Sequence, residues 1–144
     1  MVPRDLQISY SYEELPTVAE RLWQWGHSVR VWTFSGNLGA GKTALIRTLC
    51  AHIGVKDRVS SPTFALVNEY VLPNGAPVYH MDWYRIQSAD EGVEAGLEDA
   101  MATDGALSLI EWPEQAPELL QTPHIRIEIE TTGPETRSLQ ASRH

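Results

Sequence analysis

The chain has 144 residues, 42% of them hydrophobic, a formal net charge of −8 and a single cysteine. These values are typical of a soluble globular protein without a disulfide framework or a zinc-ligand cluster. The apolar runs are far shorter than the roughly 20 residues that cross a bilayer. The N-terminus is polar and acidic, unlike a targeting peptide. We therefore expect no membrane association and a cytoplasmic location.

Charge is distributed unevenly along the chain. Lysine occurs only as Lys42 and Lys56, and no lysine or arginine lies between Arg85 and Arg126, where the acidic residues are concentrated. Tight autonomous binding to a nucleic acid requires a basic patch, because neutralisation of phosphates supplies most of the affinity. The sequence therefore predicts that any contact with a nucleic acid is indirect. The acidic stretch is typical of a solvated helix face or of a surface for a basic protein partner.

Helix and strand patterns alternate in the first half of the chain. Residues 11–25 predict an amphipathic helix, with Ser11 and Glu14 placed as a capping box. Residues 29–34, VRVWTF, are an unbroken run rich in β-branched and aromatic side chains, typical of a buried strand. A glycine-rich segment follows, and residues 42–54 predict a second helix that ends at a glycine.

The second half continues with further strands. Residues 65–72 and 76–82 flank Pro73-Asn74-Gly75, which predicts a β-hairpin. Residues 89–105 predict a helix that its glycines weaken. Residues 106–110 form a short apolar run, ALSLI, typical of a buried strand that ends on Glu111.

The chain ends in a pattern of a different kind. Residues 124–130 alternate apolar with polar or charged side chains, which favours a half-exposed edge strand. From Thr131 onward the sequence is polar, and we expect a loose tail. The alternation of strands and helices predicts an α/β layer architecture in one domain over residues 1–130, followed by a tail over residues 131–144.

The segment GNLGAGKT (36–43) fits the pattern G-x-x-x-x-G-K-[ST] between a predicted strand and a predicted helix. Its glycines can adopt positive φ, so that backbone N–H groups close around a phosphate. The N-terminus of the following helix adds partial positive charge. Lys42 is predicted to bridge the β- and γ-phosphates of a nucleotide, and the Thr43 hydroxyl to ligate Mg²⁺. The predicted phosphate-binding residues are Asn37, Leu38, Gly39, Ala40, Gly41, Lys42 and Thr43.

A phosphate loop of this kind works with an acidic residue at the end of a neighbouring strand. Asp82 and Glu111 both occupy such positions. The run before Glu111 is the more uniformly apolar, which favours a central strand beside the loop. We therefore assign Glu111 to the metal or its water shell, and Asp82 to the metal shell or the attacking water.

Four motifs occur in order along the chain: GNLGAGKT (36–43), SPTF (61–64), VYHMDWYR (78–85) and LIEWPE (109–114). With these motifs, residues 11 to 130 resemble the TsaE (formerly YjeE) family, the P-loop ATPases of bacterial tRNA threonylcarbamoyladenosine synthesis. The resemblance implies a P-loop NTPase-like three-layer sandwich, with a mixed β-sheet flanked by helices. It also implies ATP or ADP and Mg²⁺ as ligands.

The resemblance implies an activity exercised with two partners, the TsaD and TsaB proteins. In that family, TsaD with TsaB transfers a threonylcarbamoyl group to the adenosine beside the anticodon, and TsaE hydrolyses ATP to support repeated cycles. By the same resemblance, Gly39–Thr43 hold the phosphates, Thr43 and Glu111 hold Mg²⁺, and Lys42, Asp82 and Glu111 serve hydrolysis.

Four further residues have predicted roles. The resemblance makes Thr63 a candidate sensor of the γ-phosphate and places contacts to adenine near Tyr12. Trp112 is predicted either to pack in the core or to contact the nucleotide site or a partner. His80 is predicted to pack or to hydrogen-bond within the sheet rather than to bind a metal.

Two other functions fit the phosphate loop. A small nucleotide or metabolite kinase needs a second substrate site and usually a lid with arginines. Residues 86–125 contain no lysine or arginine, which leaves Arg85 as the best-placed arginine for that task. A nucleotide-sensing adaptor with negligible hydrolysis would use the same loop.

Overall fold

The computed structural model describes residues 3–62 and 66–144, whose strands join in one seven-stranded mixed sheet. The spatial order of the strands is β1-β7-β6-β2-β5-β4-β3. Strands β6, β2, β5 and β4 are parallel neighbours, while β7 and β1 at one edge and β3 at the other pair antiparallel. The strands are β1 (Asp5–Ser11), β2 (Val31–Ser35), β3 (Val67–Val71), β4 (Pro77–Asp82), β5 (Leu107–Glu111), β6 (Ile125–Thr131) and β7 (Thr136–Arg143).

Helices cover the two faces of this sheet and make three layers. Trp32 packs with residues of α1 and α2, whereas its neighbour Val31 packs with a residue of α4. Successive side chains of a strand point to opposite faces, so these helices lie on opposite sides of the sheet. The predicted three-layer α/β fold is confirmed. The helices are α1 (Leu15–Gly26), α2 (Lys42–His52), α3 (Ala89–Glu94) and α4 (Leu97–Met101), with 3-10 turns at Tyr12–Glu14, Pro113–Gln115 and Pro117–Leu119.

The two strands that carry the site are the most deeply buried. All five residues of β5 are buried, as are the first four of β2. Strands covered on both faces read as continuous apolar runs, which is why their sequences predict them. The predicted hairpin of β3 and β4 is present. The predicted capping box before α1 is present too, and in it the Ser11 N–H donates a 2.9 Å hydrogen bond to the Glu14 carboxylate.

The prediction of an edge strand over residues 124–130 is wrong. Strand β6 lies inside the sheet, between β7 and β2, and the edges are β1 and β3. Its alternation of buried and exposed residues has another cause, because helices cover only one face of the sheet there and the other face is open. Alternation of apolar and polar residues indicates how many faces of a strand are covered by other elements. It does not indicate whether the strand is central or at the edge of the sheet.

The prediction of a loose tail from Thr131 is wrong for most of that segment. Residues Thr136–Arg143 form β7, which pairs along its length with both β6 and β1. Leu139 is fully buried, and Arg137 is 6% exposed. Strand β1, which the sequence did not predict, depends on β7 for its hydrogen bonds.

The helix predicted over residues 89–105 is two shorter helices. The chain breaks at Gly96, whose φ of 81° lies in the left-handed region and whose position is the N-cap of α4. A residue without Cβ adopts this conformation without strain, so the glycine ends one helix and begins the next. In the described ranges we find no helix long and apolar enough to cross a membrane.

Candidate nucleotide site

The glycine-rich loop joins the end of β2 to the start of α2. Its three glycines all have positive φ, 155° at Gly36, 80° at Gly39 and 100° at Gly41. Gly41 is the N-cap of α2, so its left-handed conformation sets the direction in which the helix leaves the loop. This is the strand–loop–helix arrangement that a phosphate cradle requires.

Lys42 is folded back against its own loop. Its side chain is 5% exposed, its Nζ donates to the carbonyl oxygen of Gly36, and it lies 3.7 Å from the centroid of the Trp112 ring. Burial lowers the pKa of Lys42, while the charges of Glu111, Glu114 and Asp82 oppose that shift. An anion beside this ammonium group would favour its charged form.

Thr43 and Glu111 meet at the base of the loop. The Thr43 hydroxyl lies 3.0 Å and 3.2 Å from the two carboxylate oxygens of Glu111, and 2.9 Å from the Ser61 hydroxyl. Glu111 is the last residue of β5 and is 3% exposed. Parallel pairing of β2 with β5 therefore brings the strand-end acid beside the first turn of α2.

A buried hydrogen-bond chain holds the Glu111 carboxylate. His80 Nε2 lies 2.8 Å from Glu111 Oε2, and His80 Nδ1 lies 3.0 Å from the Tyr70 hydroxyl. That hydroxyl lies 3.0 Å from the backbone oxygen of Ser60. An ionised carboxylate has no proton to donate, so His80 donates to Glu111 through Nε2. Both ring nitrogens are thus engaged within the sheet, as predicted.

Asp82 stands next to Glu111 at the end of β4, its register partner across the parallel ladder. Asp82 is half-buried, and its Oδ1 accepts a 2.9 Å hydrogen bond from the Tyr84 N–H. Burial raises the pKa of Asp82, the Tyr84 N–H lowers it, and the charge of Glu111 raises it again. Two carboxylates thus lie side by side at the carboxyl ends of adjacent parallel strands, in different surroundings.

Most of the predicted site residues line one cleft of about 310 Å³. Asn37 and Ala40 belong to the loop but do not line the cleft, and the Ala40 side chain is 1% exposed. Thr63, the candidate sensor of the γ-phosphate, lies outside the described residues. The predicted residues that line the cleft are Tyr12, Leu38, Gly39, Gly41, Lys42, Thr43, Asp82 and Glu111.

Aromatic rings stand on two sides of this cleft. Tyr12 is 41% exposed, and its hydroxyl accepts a 2.9 Å hydrogen bond from Arg137. Trp112 lines the cleft and also packs against the core, and its contact with a nucleotide or a partner stays a prediction. Its φ of 59° makes it the one non-glycine residue with positive φ in the described ranges. Such conformations store strain and occur most often at functional sites.

A larger cleft, of about 600 Å³, lies on the open face of β1, β7 and β6. Arg4, Arg126 and Glu128 are among the residues that line it. None of the predicted site residues does. The chemistry of the side chains, rather than the volume, therefore selects the smaller cleft as the candidate site.

The oxygen atoms around Thr43 are suitable ligands for Mg²⁺. In the described ranges we find no group of three or more His, Cys, Asp or Glu residues that could hold a metal ion. Mg²⁺ needs no such cage, because proteins usually bind it through one or two carboxylates together with phosphate oxygens and water. A threonine hydroxyl and a carboxylate 3.0 Å apart fit that pattern.

Two polar residues beside the loop were missed by the sequence analysis. Ser61 lies within the motif SPTF, and its hydroxyl is 2.9 Å from that of Thr43. Arg137 lies in the segment expected to be a tail, and its Nε donates to the carbonyl oxygen of Ala40 at 2.9 Å. The alternation of Leu139 and Ala141 with polar neighbours was the available signal, and two apolar residues make it a weak one.

Comparisons with known proteins agree with this architecture. The family model described as "Threonylcarbamoyl adenosine biosynthesis protein TsaE" matches residues 9–139. The chain is 43% identical over 96 residues to "tRNA threonylcarbamoyladenosine biosynthesis protein TsaE" of Rickettsia typhi, and the match covers 66% of this chain and 65% of that protein. It is 33% identical over 127 residues to the protein of the same name from Bacillus subtilis, with 88% and 78% covered.

A solved structure extends the likeness to the fold. The structure described as B. subtilis YdiB superposes with a TM-score of 0.73 at 27% sequence identity, covering 99% of this chain and 87% of that one. The mixed sheet with its flanking helices is an α/β fold of the P-loop NTPase type. The chain belongs to the TsaE family.

Proposed function

We propose that this protein binds and hydrolyses Mg·ATP in support of threonylcarbamoyladenosine formation on tRNA, acting with TsaD and TsaB. The pathway is supported by membership of the TsaE family. The ATPase activity is supported chiefly by one observation, the 3.0 Å contact between the Thr43 hydroxyl and the Glu111 carboxylate beneath the glycine-rich loop. A metal-binding hydroxyl and a strand-end carboxylate are the protein groups that P-loop NTPases bring to Mg²⁺.

In this proposal the backbone of Gly39–Thr43 and the Lys42 ammonium hold the phosphates of ATP. Lys42 leaves the Gly36 carbonyl and the Trp112 ring to reach them. The exchange replaces a contact with a neutral carbonyl by hydrogen bonds between the ammonium group and anionic phosphate oxygens, in which both partners are charged. Tyr12, on the other side of the loop, is the candidate contact to adenine.

In this proposal Thr43 and Glu111 would hold Mg²⁺ directly or through its water shell. Mg²⁺ held there would supply positive charge against the negative charge of the phosphate oxygens. His80 keeps the Glu111 carboxylate oriented, since it fixes one of its oxygens at 2.8 Å. Asp82 is exposed enough to reach a water molecule, and in this proposal it orients the water that attacks the γ-phosphate.

The surface charge supports action through protein partners. The exposed acidic residues of α3, α4 and the turns after β5 form a surface of one sign, with Asp90, Glu94, Glu98, Asp99, Glu114 and Glu118 among them. A net charge of −8 opposes tight contact with tRNA, whereas a basic protein surface would complement it. Contact with tRNA is therefore proposed to be indirect, through TsaD and TsaB.

Steady-state release of phosphate from Mg·ATP, with and without TsaD and TsaB, tests this function. We expect slow release by the isolated protein and a clear stimulation by the two partners together. Release that depends instead on a small-molecule acceptor would assign a kinase. Binding of ATP without release in either condition would assign a nucleotide-sensing adaptor.

A further inference from the structure

Arg137 reaches from β7 into the back of the phosphate loop. The side chain is 6% exposed, although it carries a permanent charge. Its Nε donates to the Ala40 carbonyl at 2.9 Å, and its Nη2 lies 3.4 Å from the Gly39 carbonyl and 2.9 Å from the Tyr12 hydroxyl. Nη1 donates to the carbonyls of Thr136 at 2.8 Å and Gly133 at 3.1 Å.

This buried cation lacks an acidic counterpart among the residues that the structure describes. Over residues 3–62 and 66–144, the ion pair within 4.0 Å is that of His80 with Glu111. Carbonyl oxygens satisfy the guanidinium hydrogens but do not cancel the charge, and a buried uncompensated charge is costly. The positive potential of Arg137 therefore remains available to an anion bound on the other side of the loop.

The contacts of Arg137 also fix the direction of a loop amide. In a trans peptide the carbonyl and the following N–H point in opposite directions. Arg137 holds the Ala40 oxygen on the side of the loop away from the cleft. The Gly41 N–H therefore points toward the cleft, which Gly41 lines. Front-facing N–H groups are what a phosphate loop presents to its ligand.

Tyr12 is held by the same guanidinium group. Its ring lies 5.0 Å from Arg137 Cζ, within the range of a cation–π contact, in addition to the hydrogen bond through its hydroxyl. Arg137 thus ties together the loop that would hold phosphates and the aromatic ring that would meet the base. Both contacts join residues about a hundred or more positions apart in the chain.

We infer that Arg137 is a positioning residue for nucleotide binding: it orients the phosphate loop and Tyr12 from behind and adds positive potential to the site. The inference rests on the proposed function, because it assigns Arg137 to the same ATP site. Arg137 acts through the loop and does not touch the phosphates.

The test compares Arg137→Lys with Arg143→Lys. Both arginines lie on β7, but Arg143 stacks 4.9 Å from the Trp25 ring and donates to the Trp25 carbonyl, away from the loop. Lysine keeps the charge and loses the planar fork of donors. For Arg137→Lys we expect an affinity for Mg·ATP at least about tenfold weaker by calorimetry, because binding must then order a loop that the guanidinium group no longer orients. For Arg143→Lys we expect a change within about twofold.

A second readout uses the protein without nucleotide. Hydrogen exchange of the loop amides, residues 36–43, should be faster in Arg137→Lys than in the wild type and unchanged in Arg143→Lys. With TsaD and TsaB present, Arg137→Lys should raise KM for Mg·ATP more than it lowers kcat. If Arg137→Lys does not fold, Tyr12→Phe is measured in its place, since it removes only the hydroxyl that accepts from Arg137 Nη2. This variant should also bind Mg·ATP more weakly and show faster hydrogen exchange of the loop amides.

The outcomes separate this inference from the proposed function. If Arg137→Lys lowers the melting temperature but leaves loop exchange and ATP affinity unchanged, Arg137 is structural only and the inference is overturned. The same holds if Tyr12→Phe, standing in for an unfolded Arg137→Lys, matches the wild type. If the wild type itself binds no Mg·ATP, the proposed function fails and this inference fails with it.

Discussion

Asp82 and Glu111 are register partners at the ends of two adjacent parallel strands, yet their surroundings differ. Glu111 is 3% exposed and is held by Thr43 and His80 at 3.0 Å and 2.8 Å. Asp82 is half-buried and accepts one backbone N–H. A carboxylate held on both sides is suited to fixed coordination, whereas the more open one can meet a water molecule.

Substitution of each carboxylate by its amide should therefore have different effects. Glu111→Gln removes a negative charge beside the Mg²⁺ site and should weaken Mg·ATP binding as well as turnover. Asp82→Asn should spare binding and lower kcat by about 10²-fold or more, the usual loss for an acid–base group. Turnover is measured with TsaD and TsaB present. If Asp82→Asn raises KM while Glu111→Gln changes only kcat, the two roles are reversed.

Thr43→Ala should remove the dependence of ATP binding on Mg²⁺. The hydroxyl is the proposed metal ligand, so affinity for ATP without Mg²⁺ should be unchanged while the tightening by Mg²⁺ is lost. Thr48→Ala is the matched control, because Thr48 lies on the same helix and its hydroxyl donates to the Ala44 carbonyl at 2.9 Å. Titrations with and without Mg²⁺ decide the point. Full Mg²⁺-dependent tightening in Thr43→Ala would remove Thr43 from the metal site.

Strand β7 should contribute to stability as a core element. Leu139 is fully buried, so Leu139→Ala should lower the free energy of unfolding by about 2–5 kcal/mol. Its exposed neighbour offers the control, since Gln140→Ala should stay within about 0.5 kcal/mol. Urea unfolding with an unchanged m-value measures both. Equal, small effects would mean that residues 136–143 are the loose tail that the sequence predicted.

Cys50 should be unreactive in the native protein. Its side chain is fully buried in α2, and burial raises the pKa of the thiol to about 12. The thiolate is the nucleophile, so a group that stays protonated and inaccessible should not react with Ellman's reagent at about pH 8. The same sample in guanidinium chloride should release one equivalent. Rapid reaction of the native protein would show that α2 opens readily.

The parts of the site that lie close together in sequence were predictable. The phosphate loop is a contiguous segment whose glycines, Lys42 and Thr43 have requirements that a pattern expresses directly. The position of Glu111 was predictable because the sequence of a fully buried strand is almost entirely apolar, so an acidic residue at its end is easily recognised. The fold class followed from the same alternation of strands and helices, and the solved YdiB structure bears it out.

The parts that depend on distant segments were not predictable from one sequence. Arg137 contacts the loop across 97 residues of chain, and no local pattern encodes that approach. Residues 136–143 read as polar because three of the strand's outward positions are serine or glutamine and one face is open. Register and tertiary packing, rather than local propensity, make this segment a strand.

The central claim is that the loop around Lys42 is a site for Mg·ATP. Calorimetric titration of Mg·ATP into the wild type and into Lys42→Ala, with melting curves to show that both are folded, tests it most directly. We predict one site in the wild type and a large loss of affinity in Lys42→Ala, because the variant lacks the charge placed on the β- and γ-phosphates. Equal affinity in the two folded proteins, or no binding by the wild type, would contradict the account.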